Sequence, residues 1–286
     1  MTRIVDLLAA GPTWSFEFFP PKTEEMQRQL EKAVHELAPL QPSFVSVTYG
    51  ALGSTKSVTQ EIVIRINAEQ AFPAMAHLTC VGHTRADVDE LLDHYAANGV
   101  ENILALGGDP PADGSDPGGE FMYATDLLEV VRAHPAQFSV GVAAHPEIHP
   151  RSPDRESDRR HLAAKLGLAD FAITQFSFKA DEYLRLIDEL DALGNTKPVI
   201  PGVMPIINAG GARRMSAMNH TEIPASLNER LEAAPDVDAV IAIGIEVATD
   251  LCERLLDRGV AGVHLYAMNR SESVRRIFDN LGHSTG

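Results

Sequence analysis

Cysteine is scarce in this sequence. The two cysteines, Cys80 and Cys252, lie far apart and make neither a disulfide framework nor a metal-ligand spacing. We therefore expect both to be buried as small apolar residues. The sequence also has no signal peptide and no apolar run long enough to cross a bilayer. These absences predict a cytoplasmic protein without membrane contact.

Basic residues are scarce too. The chain has 24 Lys and Arg residues against 40 Asp and Glu residues, which gives a formal net charge of −16. Because so acidic a protein repels phosphate backbones and anionic lipids, we expect no nucleic-acid partner. The expected partner is a small molecule, and the sequence is compatible with a homo-oligomer.

Short apolar segments alternate with amphipathic helical segments along the whole chain, which is typical of βα units and a parallel sheet. Eight strands are predicted, at Trp14–Phe19, Phe44–Thr48, Ala74–Thr79, Asn102–Leu106, Phe138–Ala144, Phe171–Thr174, Val199–Gly202 and Val263–Tyr266. The Gly-rich fingerprint that usually follows the first strand of a dinucleotide-binding open sheet is missing. The pattern therefore favours a (β/α)8 TIM barrel of class α/β, with residues 1–286 forming a single catalytic domain.

The predicted helices between these strands carry recognisable end signals. Thr84, with Asp87 three residues later, has the pattern of a capped helix start, and Gly99 and Gly259 lie where helices should end. The helices are predicted at Glu24–Glu36, Thr59–Ala68, Thr84–Ala97, Ala124–Ala133, Arg155–Leu166, Asp181–Leu193, Gly211–Met218, Leu227–Ala233 and Ile245–Arg258. Residues 107–119, rich in Gly and Pro, are predicted to form a long loop.

The segment Ser15–Pro21 places one carboxylate inside an otherwise apolar strand. With period-two alternation, Glu17 faces away from Phe16 and Phe18, and Pro20 ends the strand because it has no N–H. Desolvation at such a position favours the protonated form of an acid, which suits a proton donor in a cleft. A structural role, as a helix cap or an ion-pair partner, is equally compatible with this segment.

The site of a TIM barrel is built at the C-terminal ends of its strands, and those ends are unusually polar here. Each of these residues alone could have a structural role, but that does not explain why so many polar side chains converge on one mouth of the barrel. In chain order they are Glu17, Ser46, Thr48, Tyr49, His77, Thr79, Asp109, His145, Glu147, His149, Gln175, Asn208, Tyr266, Asn269 and Arg270.

Four of these residues, His77, Asp109, His145 and His149, are also of metal-ligand type. A metal-dependent hydrolase barrel is therefore a second hypothesis. The usual local ligand spacings, such as a His-x-His pair on the first strand, are missing, and no metal site is predicted.

Eight short motifs, in the family's order and from about residue 14 to 281, resemble those of the methylenetetrahydrofolate reductase family in its short bacterial, catalytic-domain-only form. They are Ser15–Pro21, Phe44–Gly50, His77–Cys80, Gly108–Pro111, His145–Pro150, Ala172–Gln175, Ile200–Gly202 and Asn269–Arg270. The resemblance implies a barrel that holds FAD and oxidises NADH or NADPH. It further implies reduction of 5,10-methylenetetrahydrofolate to 5-methyltetrahydrofolate, which feeds methyl groups to methionine synthesis.

The same resemblance implies roles for individual residues. Glu17 matches the catalytic acid that protonates N10 of the folate, so that the five-membered ring opens to an iminium. Asp109 matches the acid beside the flavin ring, which also contacts the folate, and Gln175 and Arg270 match substrate-binding positions. The implied cofactor contacts are Thr48, His77, Gly108, Asp109, Tyr123, Ala143, His145, His149, Asp158 and Lys165. The diphosphate of FAD needs a cation in so acidic a protein, and Lys165 supplies one.

Four departures from the family pattern limit what the resemblance implies, and three of the four thin out the implied cofactor site. Gly107 stands where Arg is common, His145 where a stacking Tyr is common, and Ala209 where an aromatic residue sandwiches nicotinamide or folate. The chain is also one residue short between Lys165 and Gln175. A flavin-independent reductase that passes hydride directly from the nicotinamide to the folate therefore stays open. A non-catalytic folate- or flavin-binding barrel is a separate hypothesis, and such a protein should not retain Glu17, Asp109 and Gln175 together as this chain does.

Overall fold

The computed structural model describes residues 2–49, 56–108 and 118–283. These residues contain nine strands, β1 (Thr13–Phe18), β2 (Phe44–Val47), β3 (Ala74–Thr79), β4 (Asn102–Leu106), β5 (Ser139–Ala144), β6 (Phe171–Thr174), β7 (Val199–Ile200), β8 (Gly202–Val203) and β9 (Gly262–Tyr266). The helices are α1 (Ile4–Ala10), α2 (Glu24–Leu37), α3 (Lys56–Glu69), α4 (Arg85–Ala97), α5 (Ala124–Ala133), α6 (Arg155–Leu168), α7 (Ala180–Ala192), α8 (Ala209–Asn219), α9 (Ala225–Ala233), α10 (Val237–Asp257) and α11 (Ser271–Asn280), and a 3-10 helix, Ala38–Leu40, follows α2.

All paired strands are parallel, in the order β7-β6-β5-β4-β3-β2-β1-β9-β8. The segment predicted as one strand, Val199–Gly202, is split at Pro201, which has no N–H for a ladder. Its first half pairs with β6 and its second half with β9, so the two ends of the sheet meet at this residue. The Pro201 carbonyl accepts a hydrogen bond of 2.9 Å from the His264 N–H. The prediction of a (β/α)8 barrel is confirmed, and its closure depends on a broken strand.

Side-chain hydrogen bonds complete the seam where the ladder is interrupted. Gly202 N–H donates to Thr174 Oγ1 at 2.9 Å, and the Tyr266 hydroxyl donates to the Thr174 carbonyl at 2.8 Å. A Cβ atom on residue 202 would lie 2.2 Å from that carbonyl oxygen. The seam therefore requires glycine at this position, because the backbones approach too closely for any side chain.

Strand alternation separates two apolar layers. Phe16 and Phe18 share one face of β1, as predicted, and belong to the large outer layer between the strands and the surrounding helices. The barrel interior holds a smaller cluster, formed by Ile4, Phe44, Met75, Leu104, Phe171, Ile173 and Ile200. Glu17, on the opposite face of β1 from the two phenylalanines, lies above this inner cluster at the carboxyl end of the strand.

Helix α1, which the periodicity did not predict, packs against the amino ends of the strands. Ile4 is fully buried, and its N–H donates to Asn102 Oδ1 at 2.8 Å. The next N–H, of Val5, donates to Ser139 Oγ at 3.0 Å. Because Asn102 and Ser139 are the first residues of β4 and β5, α1 covers the end of the barrel opposite to the predicted site.

Two further helices differ from the prediction. Helix α10 begins at Val237, eight residues before the predicted Ile245, and α11 was not predicted at all. The helix start at Thr84 is confirmed, since its hydroxyl and Asp87 form a reciprocal capping box. Helices α4 and α10 end just before Gly99 and Gly259, also as predicted.

Both cysteines are free and buried, as expected for small apolar residues. Burial raises the pKa of the Cys80 thiol to about 11 and that of Cys252 to about 12, so neither is a reactive thiolate at neutral pH. No helix among the described residues is long and apolar enough to span a membrane.

Candidate active site

Glu17 is the centre of a polar cluster inside the carboxyl end of the barrel. The register of β1 sets it beside Ser46 of β2 and Tyr266 of β9. Its side chain is almost completely buried, with 7% of the residue exposed. Ser46 Oγ lies 3.4 Å from Glu17 Oε2. The other carboxylate oxygen, Oε1, has no hydrogen-bond partner among the residues that the structure describes.

Two histidine rings flank the same carboxylate oxygen. His77 Nε2 lies 3.4 Å and His264 Nε2 3.5 Å from Glu17 Oε2. The other ring nitrogen of His264, Nδ1, lies 2.8 Å from Ser15 Oγ. Neither His264 nor Ser15 was predicted as a site residue. Strand alternation could have identified both, because each lies two residues before a predicted site residue and therefore on the same face of its strand.

Burial lowers the pKa of His77 to about 4, although the neighbouring Glu17 carboxylate acts in the opposite direction. The ring is therefore neutral at pH 7. Its Nε2 atom makes no hydrogen bond of good geometry within the described part of the chain. Buried polar atoms without a partner are rare in folded proteins, and one at the mouth of a barrel is a suitable contact for a polar ligand atom.

Tyr266 closes the cluster on the β9 side. Burial raises its pKa well above the ordinary value, and the charge of Glu17 adds to the effect. Its hydroxyl therefore keeps its proton and donates a hydrogen bond to the Thr174 carbonyl across the seam. Tyr266 lies among the polar side chains at the strand ends, as predicted. Its hydrogen bond to Thr174, however, gives it a structural role in closing the barrel.

A second group of residues lies on the loop between β5 and α6. Arg159, a buried residue that the sequence did not single out, organises this loop. Its guanidinium donates to the carbonyls of residues 145–147 at 2.7–3.1 Å, to Asp158 Oδ2 at 2.5 Å and to Glu189 Oε2 at 2.7 Å. The five contacts use all of its hydrogen-bonding directions and hold the loop in one conformation.

Asp158, an implied cofactor contact, supports the same loop. Its Oδ1 atom accepts hydrogen bonds from the His149 N–H at 3.2 Å and from Ser152 Oγ at 3.0 Å. Its Oδ2 atom accepts the bond from Arg159. The structure thus shows Asp158 positioning the loop through protein donors on both oxygens.

Lys165 extends from α6 to the end of β5. Its ammonium group donates to the Ala143 carbonyl at 2.9 Å, so these two implied cofactor contacts lie side by side. Burial lowers the pKa of Lys165, and the charge of Asp158 opposes that effect. Among the described residues, no carboxylate lies within 4 Å of the ammonium group. The chain therefore positions Lys165 at the strand end although it is one residue short beyond it.

His145 and His149 pack edge to face, with ring centroids 4.5 Å apart. Burial lowers the pKa of His145 to about 3, and the electrostatic influence of His149, Lys165, Arg159 and Arg151 lowers it further. The His145 ring is therefore neutral and able to stack on an aromatic ligand. The same neighbours make this part of an acidic protein locally basic.

Other implied cofactor contacts surround this loop. Gly108 follows β4 with φ of 81°, and a Cβ atom there would lie 3.0 Å from Val81 and 3.1 Å from Thr79. The positive φ and this crowding by two side chains both favour glycine at position 108. Thr48 is held just beyond β2 by its N–H, which donates to Phe18 O at 3.0 Å.

Two implied contacts are less well defined by the protein itself. Tyr123 precedes α5 and is 63% exposed, so its ring is open to a ligand or to solvent. Asp109, which the resemblance makes both a catalytic and a binding residue, lies outside the described residues. Most of the predicted loop 107–119 also lies outside them.

The implied substrate contacts lie on the side of the mouth formed by β6, α8 and α11. Gln175 Nε2 donates to Asn219 Oδ1 at 3.1 Å, and its Oε1 accepts from the Phe176 N–H at 3.0 Å. Arg270 is exposed just before α11, and its side chain has no hydrogen bond or ion pair with the described residues. Asn269 beside it holds the end of β1 through two hydrogen bonds of 2.9 Å to Phe19.

Asn208 and Ala209 begin helix α8. Asn208 caps the helix, its side chain accepting from the Gly211 N–H at 2.7 Å. Ala209 packs against a small apolar cluster shared by α8, α9 and α10, which includes Ile206 and Leu227. Ala209 therefore lies in apolar surroundings, and its methyl side chain offers no ring to stack on a ligand.

The metal hypothesis finds no support in the part of the chain that the structure describes. Within it, no three His, Cys, Asp or Glu side chains come together as a group that could hold a metal ion. Glu147, which could have joined such a group, instead accepts hydrogen bonds from Ser177 Oγ at 3.0 Å and from the Glu222 N–H.

A buried acid and a locally basic loop at the carboxyl ends of the strands define a (β/α)8 barrel with an enzyme-type site. The sequence profile described as Methylenetetrahydrofolate reductase matches residues 2–282. The chain belongs to the methylenetetrahydrofolate reductase family, so the expectation from the motifs is confirmed.

Curated relatives agree with this assignment. Methylenetetrahydrofolate reductase (NADH) 1 of Arabidopsis thaliana is 37% identical over 297 residues, covering 98% of this chain and 50% of that protein. The 5,10-methylenetetrahydrofolate reductase of Salmonella typhimurium is 35% identical over 274 residues, covering 95% and 91%. The chain therefore spans about half the length of the plant relatives and most of the bacterial one.

Solved structures share the fold at low sequence identity. A protein from Clostridium thermocellum that binds two copies of 5-methyl-5,6,7,8-tetrahydrofolic acid has a TM-score of 0.64 and 13% identity, covering 96% of each chain. Dihydropteroate synthase from Xanthomonas albilineans has a TM-score of 0.52 and 13% identity, covering 95% of this chain and 92% of its own. At this identity, the likeness concerns the barrel alone.

Proposed function

We propose that this protein reduces 5,10-methylenetetrahydrofolate to 5-methyltetrahydrofolate with NADH or NADPH as the electron donor and FAD as a bound cofactor. The product would supply methyl groups for methionine synthesis. The observation that carries the proposal is Glu17, an almost fully buried acid in the interior of the barrel mouth, with one oxygen flanked by His77 and His264. Family membership and the names of the relatives support the reaction.

The described residues fit FAD. Buried His77 Nε2 makes no hydrogen bond of good geometry with the described residues, and the chain passes the end of β4 as two residues without side chains, Gly107 and Gly108. Lys165 offers an ammonium group with no carboxylate of the described residues within 4 Å. His145, kept neutral by burial, can stack on a ring system. When bound, FAD would accept a hydride from the nicotinamide and return it to the folate.

Glu17 would act as the general acid on the folate. Its proton goes to N10, the bond between N10 and the methylene carbon breaks with its electron pair moving to N10, and an iminium remains between N5 and that carbon. Addition of a hydride to the carbon gives the N5-methyl group. Glu17 is left as a carboxylate and recovers its proton from solvent.

The arrangement around Glu17 suits this task. Oε2 is the oxygen near Ser46, His77 and His264, whereas Oε1 has no hydrogen-bond partner among the described residues. We assign proton delivery to Oε1. The flanking polar groups can stabilise the carboxylate that remains after the transfer.

The remaining implied contacts would orient the folate. Gln175 offers an amide donor and acceptor at the end of β6, and exposed Arg270 offers a cation free of protein partners in the described part of the chain. Asp109 would contact both flavin and folate, as the resemblance implies.

Spectroscopy on the purified protein tests the proposal. We expect a flavin absorbance band that bleaches on anaerobic addition of NADH or NADPH and returns on addition of 5,10-methylenetetrahydrofolate. Reductase activity without any flavin would instead establish direct hydride transfer from the nicotinamide. A band that neither reagent changes would identify a non-catalytic flavin-binding barrel.

A further inference from the structure

Arg151, on the loop between β5 and α6, occupies the space beside Gly107 at the end of β4. A Cβ atom built on residue 107 would lie 3.6 Å from Arg151 Nη2, and Arg151 is the residue it would meet within 4 Å. The same Nη2 atom donates to the Gly108 carbonyl at 3.3 Å. A long side chain at position 107 would therefore compete with the Arg151 guanidinium for the same space.

The charge of Arg151 is not neutralised by the described part of the chain. No carboxylate there lies within 4 Å of its guanidinium, although the protein carries a net charge of −16. Lys165 is in the same situation. Both charges act on the His145 ring and lower its pKa. Two cations that have no carboxylate of the described residues within 4 Å thus lie around one imidazole, an arrangement that favours an anion of more than one charge.

The backbone around Arg151 is well supported. Its N–H donates to His149 Nδ1 at 3.1 Å, and the preceding residues of the loop are held by Arg159. The guanidinium presents further N–H groups beyond the bond to Gly108 O. Such a fork matches the oxygens of a phosphate better than an ammonium group does.

We propose that Arg151 supplies from the β5–α6 loop the cation that is absent at Gly107, and that it binds the FAD diphosphate together with Lys165. This inference rests on the proposed function, because it presumes FAD as the cofactor. It assigns the binding of the phosphates to a residue outside the motifs that identified the family. It also explains how the site keeps its charge with glycine at position 107.

Fluorescence titration of the flavin-free protein with FAD and with riboflavin, which lacks phosphate, tests the assignment. Arg151→Gln keeps a donor for Gly108 O and removes the charge. We expect it to raise the Kd for FAD by about 10- to 100-fold. The Kd for riboflavin should change by less than about twofold, since riboflavin offers no anion. The FAD Kd of the variant should also lose part of its dependence on salt.

A double variant that moves the guanidinium from position 151 to position 107 tests the assignment most directly. Gly107→Arg combined with Arg151→Ala restores a guanidinium to the same space, and we expect FAD affinity to recover to within about fivefold of wild type. Arg160→Gln is the matched control, because Arg160 is an exposed residue of α6 paired with Glu156 and its replacement makes the same change in net charge. It should leave both Kd values unchanged.

Three results would overturn the assignment. Equal losses for FAD and riboflavin would show that Arg151 only fastens the loop to Gly108. An unchanged FAD Kd in Arg151→Gln would show that the phosphates lie elsewhere. Wild-type protein that binds neither flavin would refute the proposed cofactor itself, and this outcome is separate because it is read before any substitution. Circular dichroism of each variant verifies folding.

Discussion

Ser15 and Glu17 are two residues apart on β1 and contact opposite nitrogens of one histidine ring. Ser15 Oγ lies 2.8 Å from His264 Nδ1, and Glu17 Oε2 lies 3.5 Å from His264 Nε2. The serine hydroxyl can donate to Nδ1, or it can accept from Nδ1–H while donating to the Val263 carbonyl at 3.4 Å. The ring can therefore present either a donor or an acceptor to Glu17, so both protonation states of the acid have a matching partner.

Glu17→Gln separates a proton donor from a structural acid. Hydride transfer from NADH to flavin needs no proton on N10, so we expect flavin reduction to stay within about tenfold of wild type. Reduction of the folate should fall by about 10²- to 10⁴-fold, the usual contribution of a general acid. Stopped-flow measurement of the two half-reactions gives both rates. A parallel fall in both would make Glu17 a positioning residue.

His77 makes stability depend on pH. Its pKa is lowered from 6.5 to about 4 by burial, so the unfolded chain binds the proton more readily than the folded one. Stability should therefore be full above about pH 6.5 and fall progressively towards pH 4, by at most about 3 kcal/mol from this residue. Urea unfolding at pH 7, 6 and 5 should show a smaller decrease for His77→Gln. An identical decrease in wild type and variant would contradict this account.

Arg159 of α6 should contribute more than its neighbours to holding the β5–α6 loop in place. Arg159→Gln removes the cation beside buried Asp158, one of the cations paired with Glu189 and the donor of three carbonyls, so we expect a loss of about 3–5 kcal/mol in unfolding free energy. The neighbouring exposed residue gives the control, since Arg160→Gln should change stability by less than about 0.5 kcal/mol. Equal effects in urea denaturation would show that the buried network is not required.

Gly202 should be intolerant of any side chain. A Cβ atom there would meet the Thr174 carbonyl at 2.2 Å, so Gly202→Ala should cost at least about 1–3 kcal/mol and open the barrel seam. Gly167 of α6 is the matched control, because a Cβ there meets nothing within 4 Å, and Gly167→Ala should stabilise the protein by about 0.5–1 kcal/mol. Thermal unfolding of both variants measures the contrast.

The sequence predicted much of the architecture, because strand alternation and strand-end polarity are local properties. Alternation alone placed Glu17 on the face opposite to Phe16 and Phe18, and the barrel followed from the repeated βα unit. The division at Pro201 was not predicted, since a four-residue apolar segment looks continuous until its two neighbours are known.

The site residues that the sequence did not predict were missed for a different reason. His264 and Ser15 lie inside the strands rather than at their ends, and their importance depends on contacts between β1 and β9, which are almost 250 positions apart in the chain. Arg159 was missed because an Arg-Arg pair on a polar helix usually lies in solvent. Its burial comes from the fold of residues 145–147 around it.

The broken strand at Pro201 also bears on how the protein is made. Strand β9 pairs with both β1 and β8, so the sheet cannot close before Gly262–Tyr266 has left the ribosome. Until then, β1 and β7 are open edges of a parallel sheet, and such edges are prone to wrong pairing. Synthesis of β9 is thus the step after which the open sheet, with its aggregation-prone edges, can close into a barrel.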